Sequence, residues 1–161
     1  MAVDMFLKLE GIKGESGDDK KKDEIDVLAW SWGAAQSGTT HQGGGGGAGK
    51  ASFQDMQVTK YVDSSSPILM QHVASGKHIT KATLTVRKAG DTPLEYIVYT
   101  LTDVIVTAYS TGGSGGEDRL TENVVLNFAV VEWTYKKQKA DGTGDGDIKA
   151  GWDIKANKTM V

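Results

Sequence analysis

The chain has no cysteine among its 161 residues. That excludes a disulfide framework, a thiolate metal site and a cysteine nucleophile, and folding needs no oxidising compartment. Long apolar runs are missing too. None approaches the ~20 residues that span a bilayer as a helix. Near the amino terminus Asp4 and Lys8 bracket only three apolar residues, against the roughly 7–15 uninterrupted positions of an export-signal core. The expectation is a protein made in the cytoplasm without an ordinary export signal and without membrane insertion. There is no excess of basic charge: 18 Lys and Arg against 21 Asp and Glu leave a formal charge of -3. The basic residues are scattered, so nothing resembles the stripe that phosphate backbones select, and nucleic acid is excluded as a partner class.

What is present suffices for one domain over residues 1–161. A 39% apolar share with 24% charged residues is too apolar for a disordered chain, and the length closes one core. Glycine is abundant at 21 residues, against only two prolines. Six of those glycines fall at positions 43 to 49 and four at 112 to 116, so two short loops take nearly half of them and the segments between are free to form regular structure.

Those segments read as strands. In DEIDVLAWSWG, Ile25, Val27 and Ala29 alternate with Leu28, Trp30 and Trp32, a run apolar on both faces. Such a strand leaves apolar surface over once one face has met a core, and a subunit interface is its natural use. ITKATLTVRK opposes Ala82, Leu84 and Val86 to Lys81, Thr83, Thr85 and Arg87, one dry face and one wet. The run from Leu94 to Tyr109 is long enough to require a bend near Thr102 or Asp103. NVVLNFAVVEWTY, Val3 to Leu9, Phe53 to Val58 and Ile148 to Ile154 bring the count to seven or eight. The fold expected is mainly β, a closed or nearly closed β-barrel of two sheets with one flanking α-helix. That helix lies in SSSPILMQHVASGKH, where Ser66 caps, Pro67 starts and Gly76 stops it. Ile68, Leu69, His72 and Val73 form its docking face.

Motifs for chemistry fail one after another. Gly44 to Lys50 satisfies the spacing of a phosphate-binding loop, but Ala51 stands where a Mg²⁺-ligating hydroxyl is needed and a strand follows where a helix should open. Asp141, Asp145 and Asp147 suggest a calcium loop, yet Thr143 and Trp152 occupy two ligand positions, so the segment reads as a polar turn. GGSGG at 112–116 has Asp118 in place of the third glycine of a dinucleotide fingerprint. His41, His72 and His78 lack any zinc-protease pairing, and no nucleophile elbow is present. DDKKKDE at 18–24 mixes signs and reads as a solvated loop. No catalytic, metal or cofactor-binding residue is assigned, and the chain is expected not to be an enzyme.

Taken together, STGGSGGEDRLTEN at 110–123, WSWG at 30–33, SGTTHQGGGGGAGK at 37–50, FQDMQVTKYVDSSSP at 53–67 and GWD at 151–153 resemble the haemolysin-coregulated proteins, or Hcp. The resemblance runs in order along essentially the whole chain. It implies a tube subunit of a bacterial type VI secretion system: six-membered rings stack into an inner tube, expelled by a contractile sheath behind a spike protein, with effectors carried in the lumen. The implied partners are further copies of the chain, the spike or tip protein, the sheath and the effectors, and the implied destination is the extracellular medium or a target cell. No cofactor belongs to that role.

Two surfaces are assigned from the residues. Strand alternation sets Val27, Ala29 and Ser31 on the small face of DVLAWSWG, opposite Trp30 and Trp32; that face is expected either to line the lumen that the resemblance implies or to pack against the flanking helix. The loop from Gly38 to Gly49, with Gly43, Gly44, Gly45, Gly46 and Gly47 at its centre, is expected to make ring-to-ring contact, since glycine suits close backbone approach. The alternative function is a β-barrel carbohydrate- or small-ligand-binding module with Trp30, Trp32, Trp133 and Trp152 as stacking platforms.

Overall fold

The computed structural model describes residues 2–38, 49–90 and 92–160. Among them are ten strands and one helix: β1 (Val3–Leu9), β2 (Ile25–Ser31), β3 (Ala34–Ala35), β4 (Ser52–Phe53), β5 (Met56–Tyr61), α1 (Ser66–Ser75), β6 (Ile79–Lys88), β7 (Leu94–Thr111), β8 (Thr121–Gln138), β9 (Gly144–Asp153) and β10 (Lys158–Thr159). The order β8-β5-β2-β1-β6-β7 returns to β8 through a β7–β8 pairing, so six antiparallel strands close a barrel; β9 and β10 continue outward from β8. The expected segment 53–58 is two pieces. Phe53 pairs with Ala34 in a separate two-stranded ribbon, while Met56–Tyr61 joins the barrel between β2 and β8.

Alternation puts one apolar set inside. Leu7, Leu9, Ile25, Met56, Val58, Leu84, Leu101, Val104, Val124 and Leu126 are all buried in a single core. At ~25 cal/mol per Å² of apolar surface, burial of this kind is the main stabilising contribution to a barrel of this size. β7 runs unbroken from Leu94 to Thr111, and the expected bend is taken up at Asp103, which sits at φ 55. Its inward residues step from Leu101 to Val104, and those of its partner β8 from Val131 to Phe128. Both strands therefore change face together at Asp103.

β2 departs from strict alternation in a way that matters. Its pairing with β5 slips between Val27 and Ala29, a β-bulge that adds one residue and inverts the phase beyond it. Ile25 and Val27 point into the core, and Leu28, Ala29 and Ser31 lie exposed. Trp30 and Trp32 pack against the core. Val27, placed by alternation on the small outer face, is only 6% exposed and leaves that set.

Helix α1 ends as expected on left-handed Gly76 (φ 67), whose N–H reaches the His72 carbonyl. Its start differs. Ser65, not Ser66, holds the N-cap position, without a side-chain cap bond, because its hydroxyl donates to the Asp63 carboxylate; the Ser66 hydroxyl accepts from the Asp63 N–H and donates to Glu122. The docking face is narrower too: Leu69 is fully buried against the barrel, whereas Ile68 and Val73 are exposed. The segment 18–24 is pinned rather than merely solvated. Asp18 accepts two hydrogen bonds from Arg87, at 3.0 and 2.7 Å, and Lys21 pairs with Glu95 at 2.9 Å.

Candidate functional site

Three features of the barrel could bear function, and each is built from strand register. The first is internal. Lys60 on β5 and Glu122 on β8 are cross-strand partners, both at inward positions where Val58 and Val124 would predict another apolar residue. The Lys60 ammonium reaches Glu122, Asp63 (3.0 Å) and the Tyr61 carbonyl (2.9 Å). The Glu122 carboxylate also accepts from the Ser66 and Tyr109 hydroxyls. Burial, and then the Glu122 carboxylate beside it, push the Tyr109 phenol above its usual value. No group here is left charged and unpaired, as a buried ion pair requires. Lys60 and Glu122 are sealed from solvent, and the cluster ties β5, β7 and β8 to the start of α1. It is a structural tie, not a reaction centre.

The second feature is the outer face of the sheet formed by β2, β5, β8 and the far half of β7. In one row Ser31 faces Gln57, Gln57 faces Val125, and Val125 faces Ala108. In the next, Ala29 is followed by Thr59, Asn123 and Ser110. The Thr59 hydroxyl donates to Asn123 Oδ1 at 2.8 Å. Asp55, at the margin, accepts from Asn127 at 2.9 Å and from Thr107 at 3.4 Å. This sheet has two open edges. β1 pairs with β2 only at Ile25 and Asp26, and β6 pairs with β7 only as far as Val104, so among the described strands Ala29–Ser31 is paired on one side only, by β5, and Ile105–Thr111 on one side only, by β8.

The third is an aromatic face where β7, β8 and β9 run past the barrel. Tyr135 stands between Ile97 and Ile148, and Trp133 between Tyr99 and Ala150. The Trp133 and Tyr99 rings stack 5.1 Å apart. Trp133 (43%), Tyr135 (41%) and Ile148 (59%) are exposed. Beside them Trp32, Phe53, Val131, Trp133 and Trp152 border a shallow apolar cleft of about 170 Å³.

The residues singled out by sequence fall as follows. Ala29 and Ser31 lie on the second feature, at its β2 edge. Gly43 to Gly47 and His41 are outside the described residues. Asp141 takes a turn rather than a ligand geometry, accepting from the Thr143 N–H (3.0 Å) and hydroxyl (2.6 Å). The four tryptophans form no row of open stacking platforms: Trp30 and Trp32 meet Tyr99 edge-on at 5.1 and 5.6 Å, and only Trp133 is exposed. Sequence reading missed the Lys60–Glu122 pair. Its signal was available, since each charge falls on the inward phase of its strand.

Comparison with known proteins agrees with this architecture. Residues 6–135 match the family described as type VI secretion system effector, Hcp. The chain is 59% identical over 159 residues to the protein hcp1 of Pseudomonas aeruginosa, covering 98% of each chain. Among solved structures, Hcp1 from Salmonella typhimurium is 43% identical with a TM-score of 0.79, over 99% of this chain and all of that one. A structure described as a type six secretion system protein is 33% identical with a TM-score of 0.94, again over 99% of this chain and all of that one. By sequence, fold and length alike, the chain belongs to the Hcp family of type VI secretion tube proteins.

Proposed function

We propose that this chain closes head to tail into a six-membered ring whose lumen is walled by the outer face of β2, β5, β8 and β7, and that stacked rings carry effectors through that lumen. The family is a secreted, non-enzymatic tube protein, and the chain's role is accordingly mechanical. The observation that carries the ring is the pair of open edges: one sheet ends at Ala29–Ser31 on β2 and at Ile105–Thr111 on β7. Unpaired edges seek partners. Two different edges on one body join heterologously, and a heterologous contact whose rotation divides a full turn closes a ring. The exposed aromatic face of Trp133, Tyr135 and Ile148 gives the same neighbour an apolar surface to cover.

With the ring closed this way, Ala29 and Ser31 border the lumen, and their small side chains let cargo approach the wall. The glycine segment 43–47 is assigned ring-to-ring contact on its composition. The contractile sheath, the spike and the effectors are the partners this role requires. Solution mass with negative-stain imaging tests the ring: a particle near six times 17.2 kDa with a central hole is expected. A 17.2 kDa monomer persisting at micromolar concentration would overturn it.

A further inference from the structure

Between Asp55 and Tyr61 the outer face of this sheet bears no charge. Its outward groups are hydroxyls, amides and small apolar side chains, among them Ser31, Gln57, Thr59, Asn123 and Asn127. Within this patch the charged residues of β5 and β8, Lys60 and Glu122, point inward and are fully buried. Charge stands only at its margins: Asp55 is held by Asn127 and Thr107 at one end, and Asp26 and Arg119, the latter over the Tyr61 ring, stand at the other. A chain that is 24% charged has kept the centre of this face free of charge.

We propose, resting on the lumenal reading of this face, that it holds folded protein cargo through uncharged hydrogen bonds, and that the matching patch on the cargo is itself uncharged and rich in hydroxyl and amide groups. A charged side chain pressed against this wall would lose water and gain no counter-ion, which costs free energy. A neutral amide or hydroxyl would instead exchange water for Gln57, Thr59 or Asn127 at little cost. The net charge of the cargo is then immaterial, and only its contact patch is selected. Each contact is weak, but repetition around a ring raises the effective concentration of the next one. Ion pairs, by contrast, would make retention fall as salt shortens the Debye length.

The test uses affinity-tagged rings purified from cells with an active secretion apparatus, the probe being the small-protein fraction that stays with them. Retention is expected to agree within about twofold between low salt and roughly 1 M salt. Gln57→Glu and Gln57→Lys should each lower it about tenfold with rings intact, since either sign leaves an unpaired charge under the cargo. Cargo stripped by salt, opposite responses of the two variants, or no response to either would overturn the proposal. Intact unsubstituted rings that retain nothing at any salt would instead overturn the cargo-carrying reading beneath it.

Discussion

Lys60 and Glu122 face each other directly across the β5–β8 ladder, and neither exposes any of its side chain. Removing one partner of a buried pair strands the other, at a cost of about 3–5 kcal/mol. Glu122→Leu should therefore lower the urea midpoint sharply. Glu122→Gln should cost distinctly less, because Asp63 still stands 3.0 Å from the ammonium and the amide oxygen still accepts from a hydroxyl. Equal losses in the two variants would remove the ion pair from the account.

The Asp18–Arg87 contact makes stability depend on acid. Hydrogen bonding to the Arg87 guanidinium holds the Asp18 carboxyl down to about 2, against an ordinary 3.8. A carboxyl depressed in the folded state contributes stability that is present above its unfolded value and lost as pH falls through its folded value. Asp18→Asn is expected to be destabilised at neutral pH and to lose the part of the stability change that the parent shows between about pH 4 and 2. Parallel melting-temperature profiles for both proteins across that window would contradict this.

Gly14 is required by close approach. A Cβ there would lie 2.6 Å from the Glu24 carbonyl oxygen, while the Gly14 N–H donates to the Asp23 carbonyl at 2.8 Å. Backbone cannot yield as a flexible side chain would, so Gly14→Ala should cost about 1–3 kcal/mol. Amide exchange in residues 14–24 should rise while that of the barrel strands is unchanged. Unaltered exchange in the loop would show that the two segments part easily.

Ile148, 59% exposed, touches little in the isolated chain, so Ile148→Asp should leave folding within about 0.5 kcal/mol of the parent. In the ring it would bury a charge in an apolar contact. The expected result is a folded monomer by sedimentation and circular dichroism. Normal rings would place the subunit interface elsewhere.

Ser31 is exposed at the β2 edge of the neutral sheet. Ser31→Gln adds bulk that is repeated around the ring. It should keep the ring mass and reduce retention of co-expressed cargo. Loss of the ring, or unchanged retention, would remove Ser31 from the lumenal wall.

Much of the fold was readable as period. Residues 79–88 form β6 with those bounds, but half of its expected wet face is covered: Thr85 and Arg87 are buried, Arg87 over Phe6 and bonded to Asp4 and Asp18; Gly76 stops α1 by the left-handed conformation that glycine favours. The β-branched, alternating composition of the strands follows from local steric preference and from which side chains leave water.

Other features were decided only when distant strands met. A bulge at Leu28 inverted the phase of β2 and took Val27 into the core while leaving Ala29 and Ser31 outside, and nothing in DVLAWSWG alone distinguishes a strand with that extra residue from one without it. Phe53 went to a separate ribbon because Ala34 was there to pair with it. Lys60 found Glu122 across 62 residues of chain, and Asp18 found Arg87 across 69. The sequence by itself determined a cysteine-free β-barrel with one capped helix, since period, glycine and proline act over a few residues. Which charges are buried, which face is neutral and which edges stay open are properties of register between strands, and register is set only when the barrel closes.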